Sequence, residues 1–320
     1  MLNILYLLVG VALLTAGGEG FIRGALGLAK KWGLSALFCG LVIVGFGTSM
    51  PELFVSVNAA LNNQPDIAIG NVIGSNIANV LLILGLCAMI MPLTVAPISL
   101  RRDALVVIAA SVLCIALSSK GVISFAEGLL LLGALAAYLT WAYLSEKGQF
   151  APAAELHTAE GQEIENVPQS MFWSVVQLVV GLGLLIAGSQ ILLKGAVGIA
   201  HGLGVSEAVI GLTLVAFGTS LPELTISIIA ALRKHADVAV GNILGSNIFN
   251  LLGILGVSSL IKPIQVTGRV AEIDQWVMLA VALVLLLFLY TGRRLSRTEG
   301  GMLFLAYVAY IGVSYVAFNS

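Results

Sequence analysis

The chain has 320 residues, 59% of them hydrophobic and only 10% charged, with a formal net charge of −1 and a mean hydropathy of +1.06. Soluble domains average about a quarter charged residues, so this composition excludes an ordinary soluble fold and predicts an all-α membrane protein with the lipid bilayer as its solvent. A near-neutral charge without a basic, aromatic-interleaved face excludes nucleic acid as a partner.

A bilayer core of about 30 Å takes roughly 20 apolar residues per helix, and longer runs must tilt or break. Ten spans are expected, near 2–28, 34–61, 66–91, 103–119, 122–145, 171–200, 205–232, 237–261, 272–291 and 300–318. The first run lacks the basic start and small-residue cleavage site of a signal peptide, and it reads as a spanning helix. Cys39, Cys87 and Cys114 lie inside apolar runs without metal-ligand spacing and read as packed small hydrophobes.

Spans two and three contain FGTSMPELFVSVNAALNNQPDIAIGNVIGSNIANVLLILG, Phe46 to Gly85, which recurs 171 residues later, without a gap, as FGTSLPELTISIIAALRKHADVAVGNILGSNIFNLLGILG, Phe217 to Gly256. Of the 40 paired positions 24 are identical, which makes this an internal duplication. The same offset aligns Leu7–Ala29 with Leu178–Ala200, so each half is five helices long. An odd number of spans sends the second half into the membrane from the opposite side, which predicts inverted-topology repeats. The expected organisation is residues 1–145 as the first repeat, 146–170 as an acidic linker and 171–320 as the second repeat.

Eleven of the 15 Lys and Arg residues fall in odd-numbered connections and four, Lys120, Lys194, Lys262 and Arg269, in even ones. By the positive-inside rule the odd connections are cytoplasmic and both termini lie outside. The longest connection carries Glu146, Glu155, Glu160, Glu163 and Glu165 with little apolar content, and reads as a solvated cytoplasmic linker.

Within each repeat a proline, Pro51 or Pro222, lacks an N–H and crowds the carbonyl of Gly47 or Gly218. Both helices should therefore be broken at bilayer depth, with carbonyls freed around Gly45–Gly47 and Ala216–Gly218, which is tolerated only in a protein-lined or wet cavity. Glu52 and Glu223 each follow the proline, and an ionisable residue at such depth marks an ion path. Thr48, Ser49, Thr219 and Ser220 flank them with hydroxyl oxygens. Ser75 with Asn79, and Ser246 with Asn250, are four apart and share a helix face. Asn71, Asn76, Asn242 and Asn247 point elsewhere and read as bonding backbone or neighbouring helices. Asp66 and Asp237 read as N-caps, and Gly70, Gly74, Gly241 and Gly245 as small surfaces for close helix approach. The candidate ligands are all oxygen, with no His or thiolate among them, which argues for Ca²⁺, Na⁺ or similar hard ions over zinc or copper.

The paired GTSMPEL…GNVIGSNIANVLLILG and GTSLPEL…GNILGSNIFNLLGILG resemble the two α-repeats of the calcium/cation antiporter superfamily, in particular the sodium/calcium exchangers, and with the ten-span layout the similarity covers essentially the whole chain. The resemblance implies a ten-helix inverted-repeat transporter in the plasma (inner) membrane. It implies that Glu52 and Glu223 bind Ca²⁺. Thr48, Ser49, Ser75, Asn79, Thr219, Ser220, Ser246, Asn250 and the carbonyls of Gly45 and Ala216 contribute to Na⁺ or Ca²⁺ sites. It further implies a first and a sixth helix that slide as a pair over an eight-helix core. Where potassium-dependent relatives carry an aspartate, this chain has Asn250, so the site holds two formal charges and K⁺ co-transport is not expected. The expected function is Na⁺/Ca²⁺ antiport by a monomer, with no cofactor and no enzymatic step; H⁺/Ca²⁺ antiport, K⁺-dependent antiport and, more distantly, a cation channel stand as alternatives.

Overall fold

The computed structural model describes residues 2–34, 38–94, 97–147, 170–202, 216–292 and 294–319. In chain order these form α1 (Leu2–Trp32), α2 (Cys39–Thr48), α3 (Met50–Leu61), α4 (Pro65–Ile90), β1 (Leu93–Thr94), α5 (Pro97–Ser118), β2 (Val122–Ile123) and α6 (Phe125–Lys147). The second half gives α7 (Met171–Gly202), α8 (Ala216–Thr219), α9 (Leu221–Leu232), α10 (Ala236–Ile261), β3 (Ile264–Gln265), α11 (Gln275–Gly292, entered through a π-helical turn at Val270–Asp274), β4 (Arg294–Leu295) and α12 (Arg297–Asn319). Most of the expected acidic linker, and the start of the span expected at 205–232, lie outside the described residues.

Among the described residues six helices, α1, α4, α6, α7, α10 and α11, are each long and apolar enough to cross a bilayer, and α2 with α3, bent by 45°, make a seventh as a pair. The four tryptophans, Trp32, Trp141, Trp173 and Trp276, are all exposed and stand within two turns of a helix end, the placement of interfacial anchors. This is a multi-pass integral membrane protein. Its centre is built on α4 and α10, whose most apolar windows are 78% and 94% buried, against 22–39% for the other four long helices.

Around that centre the two halves interlock. α1 and α7 run antiparallel along a seam of glycines spaced by seven, Gly10, Gly17 and Gly24 on one helix and Gly181, Gly188 and Gly195 on the other. A Cβ at Gly17 would lie 2.9 Å from the Gly181 carbonyl oxygen, and one at Gly188 would lie 2.9 Å from the Leu14 nitrogen, so the seam requires glycine for close backbone approach. At the periphery β1 pairs antiparallel with β4, Leu93 opposite Leu295, and β2 pairs with β3, Ile123 opposite Ile264. Each short ribbon thus takes one strand from each half. β1 and its counterpart 171 residues on, β3, stand at opposite ends of α5, a helix of 22 residues and so about 33 Å long at 1.5 Å per residue.

Local details correct three expectations. The helices bearing Asp66 and Asp237 begin at Pro65 and Ala236, with Gln64 and His235 at the N-cap positions. The aspartates therefore sit inside the first turn, where their charge complements the positive helix end, and do not cap it. The break before Pro51 falls at Ser49 (φ −81°, ψ 8°), and that before Pro222 at Ser220 (φ −87°, ψ 7°), later than the glycines, because a proline is accommodated in a first helical turn. Of the small surfaces, Gly245 packs against the Leu41 carbonyl, whereas a Cβ on Gly70 or Gly74 would meet no described atom within 4 Å.

Candidate cation site

The helix breaks put the two glutamates where a carboxylate is best tolerated. Glu52 lies in the first turn of α3 and Glu223 in the first turn of α9, so unpaired N–H groups and the positive end of each helix dipole face them. Both are buried, each about 1% exposed.

Their hydrogen bonds cross between the halves. Ser49 Oγ donates to Glu223 Oε1 at 2.9 Å, and its counterpart Ser220 Oγ donates to Glu52 Oε1 at 3.2 Å. Thr219 stands within hydrogen-bonding reach of Glu52. Its counterpart Thr48 stands within the same reach of Glu223, with Oγ1 3.1 Å from Asn242 Oδ1 and 3.4 Å from the Gly45 carbonyl.

Behind the glutamates two asparagines repeat one another. Asn71 Nδ2 donates to the Glu52 carbonyl at 3.1 Å and to Ser56 Oγ at 2.9 Å; Asn242 Nδ2 donates to the Glu223 carbonyl at 3.3 Å and to Ser227 Oγ at 2.9 Å. These bonds go to backbone and neighbouring helices, as the sequence predicts. What the sequence did not reveal is their target: the main chain of the very residues that carry the charge. A signal was available, since Ser56, Asn71, Ser227 and Asn242 are identical at the 171-residue offset.

The remaining ligand candidates sit on α4 and α10. Both helices widen into a π turn at equivalent places, Asn79–Leu84 and Phe249–Ile254, a distortion that recurs at functional sites. α3 packs on the second π turn and α9 on the first, so each glutamate-bearing helix faces the asparagine of the opposite half. Ser75 and Ser246 are buried one turn before Asn79 and Asn250. Ser246 Oγ donates to the Gly45 carbonyl at 3.0 Å, and the Ser49 N–H reaches the same oxygen at 3.3 Å. That carbonyl is therefore held by the scaffold in this conformation. Ala216 opens α8.

Several oxygens have no partner. Glu52 Oε2, Glu223 Oε2, Asn76 Oδ1, Asn79 Oδ1 and both amide atoms of Asn250 are buried without a hydrogen bond. An unmet buried polar atom costs about 1–3 kcal/mol, and a charged ligand lodged between these facing elements would satisfy several of them at once. All but one are oxygens and two belong to carboxylates, a donor set suited to a hard cation. Among the described residues no group of three or more His, Cys, Asp or Glu side chains forms a soft or mixed metal site.

Comparison with known proteins places the whole chain among exchangers. A family model described as sodium/calcium exchanger protein matches residues 2–144 and 173–316, one segment in each half. CaxA of Alkalimonas amylolytica is 40% identical over 319 residues, 99% of this chain and 98% of its own. The sodium/calcium exchanger MaX1 of Methanosarcina acetivorans is 32% identical over 348 residues, covering 97% and 98%. Among solved structures, that of the sodium-calcium exchanger NCX_Mj soaked with zero Na⁺ and Ca²⁺ matches with a TM-score of 0.83 at 32% identity over 98% of both chains. The same protein soaked with 10 mM Na⁺ and 10 mM Sr²⁺ matches at 0.82.

Proposed function

The chain belongs to the sodium/calcium exchanger family, and on that premise we propose that it is a secondary active antiporter that exchanges Na⁺ for Ca²⁺ by alternating access. The observation that carries this reading is the crossed arrangement of the two buried carboxylates, one from each half, each gripped by a serine of the other half and each keeping one oxygen unpaired. Two carboxylates balance one Ca²⁺, and the neutral oxygens around them allow Na⁺ ions to share the same space. In this reading Glu52 and Glu223 ligate Ca²⁺. Thr48, Ser49, Ser75, Asn79, Thr219, Ser220, Ser246, Asn250 and the carbonyls of Gly45 and Ala216 complete the Ca²⁺ and Na⁺ sites. Occupancy exchanges the hydrogen bonds of Ser246 and of the Gly45 carbonyl for ion contacts.

The reading includes ten spans in two inverted five-helix repeats, residues 1–145 and 171–320. The placement of β1 and β3 at opposite ends of α5 supports the inversion. Charge bias supports cytoplasmic odd connections and external termini in a plasma (inner) membrane, with the monomer as the working unit; a cysteine introduced between Glu155 and Glu165 should label only from the cytoplasmic side. Family membership points to transport and to no chemical step.

Uptake of radioactive Ca²⁺ into proteoliposomes under separately imposed Na⁺, H⁺ and K⁺ gradients tests the function. Uptake driven by an outward Na⁺ gradient alone is the expected result. Uptake driven by a proton gradient without Na⁺ would replace the coupling ion, and a flux indifferent to every countergradient would replace the antiporter by a channel.

A further inference from the structure

Asn79 and Asn250 occupy equivalent places in the duplication, yet their amides are held differently. A side-chain amide presents an oxygen to a cation productively and an NH₂ group repulsively, and a half-turn about its last bond exchanges the two. What fixes Asn79 is Asn247. Asn247 Nδ2 lies 3.4 Å from the Asn76 main-chain carbonyl, and a carbonyl only accepts, so the nitrogen of Asn247 must face it. Its oxygen then faces Asn79, whose Nδ2 donates to Asn247 Oδ1 at 3.0 Å. Asn79 Oδ1 is left turned the other way, buried and unpaired. The residue that would do the same for Asn250, by the 171-residue offset, is Asn76. Its Nδ2 is spent on the Val72 carbonyl of its own helix at 2.7 Å, and both amide atoms of Asn250 remain without a partner.

We infer that Asn247 is a positioning residue for cation binding: it locks the amide of Asn79 with the oxygen toward the transported ion, while the amide of Asn250 is left free to turn. The inference deepens the antiport reading and rests on it. It makes the two halves of the site unlike: one supplies a fixed neutral oxygen, the other an adjustable group able to offer oxygen to a cation or N–H to a carboxylate when the cation has left.

The test combines Asn247→Leu, which removes the acceptor at similar volume, with Asn79→Asp, in which both ends of the side chain are oxygen and orientation no longer matters. Ca²⁺ binding is read from Ca²⁺-dependent thermal stabilisation of the purified protein, and transport from Na⁺-driven flux. A net hydrogen bond of about 0.5–1.5 kcal/mol corresponds to a weakening of Ca²⁺ binding by about 2- to 13-fold in N247L, with the half-saturating Ca²⁺ for flux rising in parallel and the maximal rate kept within about 2-fold. In the N79D background, where an oxygen faces the ion in either orientation, the same substitution should not weaken binding by as much as about 2-fold. If N247L does not fold, Asn247→Ser, whose hydroxyl falls short of Asn79, carries the test with the same thresholds. Unchanged Ca²⁺ binding in the 247 variant, or an equal penalty with and without N79D, would overturn the inference while leaving antiport standing. A wild type that binds no Ca²⁺ would overturn the proposed function and this inference together.

Discussion

The first and second halves of this molecule agree around the two glutamates and differ one layer further out. Ser49 and Ser220 reach across to opposite glutamates, and Asn71 and Asn242 hold the glutamate main chains through the same two bonds. Even the turns before α4 and α10 share a left-handed residue at the same place, Asn63 at φ 58° and Lys234 at φ 62°. One layer out the likeness ends. Glu19 on α1 forms an ion pair with Arg233 at the end of α9, whereas the residues 171 positions away are Gln190 and Asn62, and Asn62 turns its amide back to the Asn58 carbonyl at 2.8 Å. In an inverted-repeat antiporter, exchanging the conformations of the two halves converts the state facing one side into the state facing the other. Interactions that are equal in both halves weigh on both states alike. Interactions without a counterpart at the 171-residue offset, such as Glu19 with Arg233, bias the equilibrium. On the proposed antiport reading, the duplication has kept the bonds to the two glutamates symmetric and let the energetics of the two facing states diverge.

Breaking the symmetric layer should have the largest effect. Glu52→Gln or Glu223→Gln keeps the side-chain volume and removes one of two charges that balance Ca²⁺. Na⁺-driven Ca²⁺ flux in proteoliposomes should then fall at least about 100-fold, since each charge-assisted bond is worth roughly 1.5–3 kcal/mol and the carboxylate makes more than one. Near-normal flux in either variant would remove the central assignment. Next come Ser49→Ala and Ser220→Ala. Each deletes one hydroxyl bond to a carboxylate, worth about 1.5–3 kcal/mol, and should raise half-saturating Ca²⁺ by about 10- to 100-fold, to a similar extent in the two variants. Unequal losses would show that the crossed pair is symmetric in shape only.

Between the symmetric and asymmetric layers lies the glycine seam. Gly24→Leu sets a side chain against backbone, since even a Cβ there would meet the Leu178 nitrogen at 2.5 Å. Overpacking of this kind costs about 1–3 kcal/mol, to be seen as a lower melting temperature in detergent, with flux reduced in proportion to the protein that survives. The smallest effect belongs to the ion pair. Glu19→Gln removes a pair whose side chains are 35% and 57% exposed. Exposed pairs contribute about 0.2–1 kcal/mol, so the ratio of the two facing states should shift by no more than about 5-fold, measured by the accessibility of introduced cysteines from either side. Ca²⁺ affinity should not change; an altered affinity would mean that Glu19 acts on the site itself.

The layer around the two glutamates was legible in the sequence because duplication and chemistry point the same way. A proline fixes where a helix can begin, a glutamate beside it inside an apolar run demands a partner, and the recurrence of both excludes accident. The π turns at Asn79–Leu84 and Phe249–Ile254 were not legible, because widening a helix by one residue depends on tertiary packing and leaves no mark in local propensity. The engagement of the Gly45 carbonyl by Ser246, 201 residues away, and the pairing of Glu19 with Arg233, 214 residues away, are long-range facts of assembly. The orientation of the Asn79 amide is settled by a main-chain carbonyl three residues earlier acting through Asn247 of the other half, a dependence that exists only once the two halves have met. The aspartates expected as caps mark a boundary shifted by two residues, the ordinary uncertainty of helix ends.

The ribbons that join β1 to β4 and β2 to β3 bear on how the protein is made. Leu93–Thr94 leaves the ribosome about 200 residues before its partner Arg294–Leu295, an interval of roughly 10–40 s at 5–20 residues per second. Val122–Ile123 likewise waits for Ile264–Gln265. Until the second half is made, the strand edges of the first half have no match and Glu52 lacks Ser220, the serine that grips it. Biogenesis of this molecule therefore ends in a clasp between an older and a newer half, and a gene cut between them should yield two fragments that are each unfinished alone and complete when synthesised in one membrane.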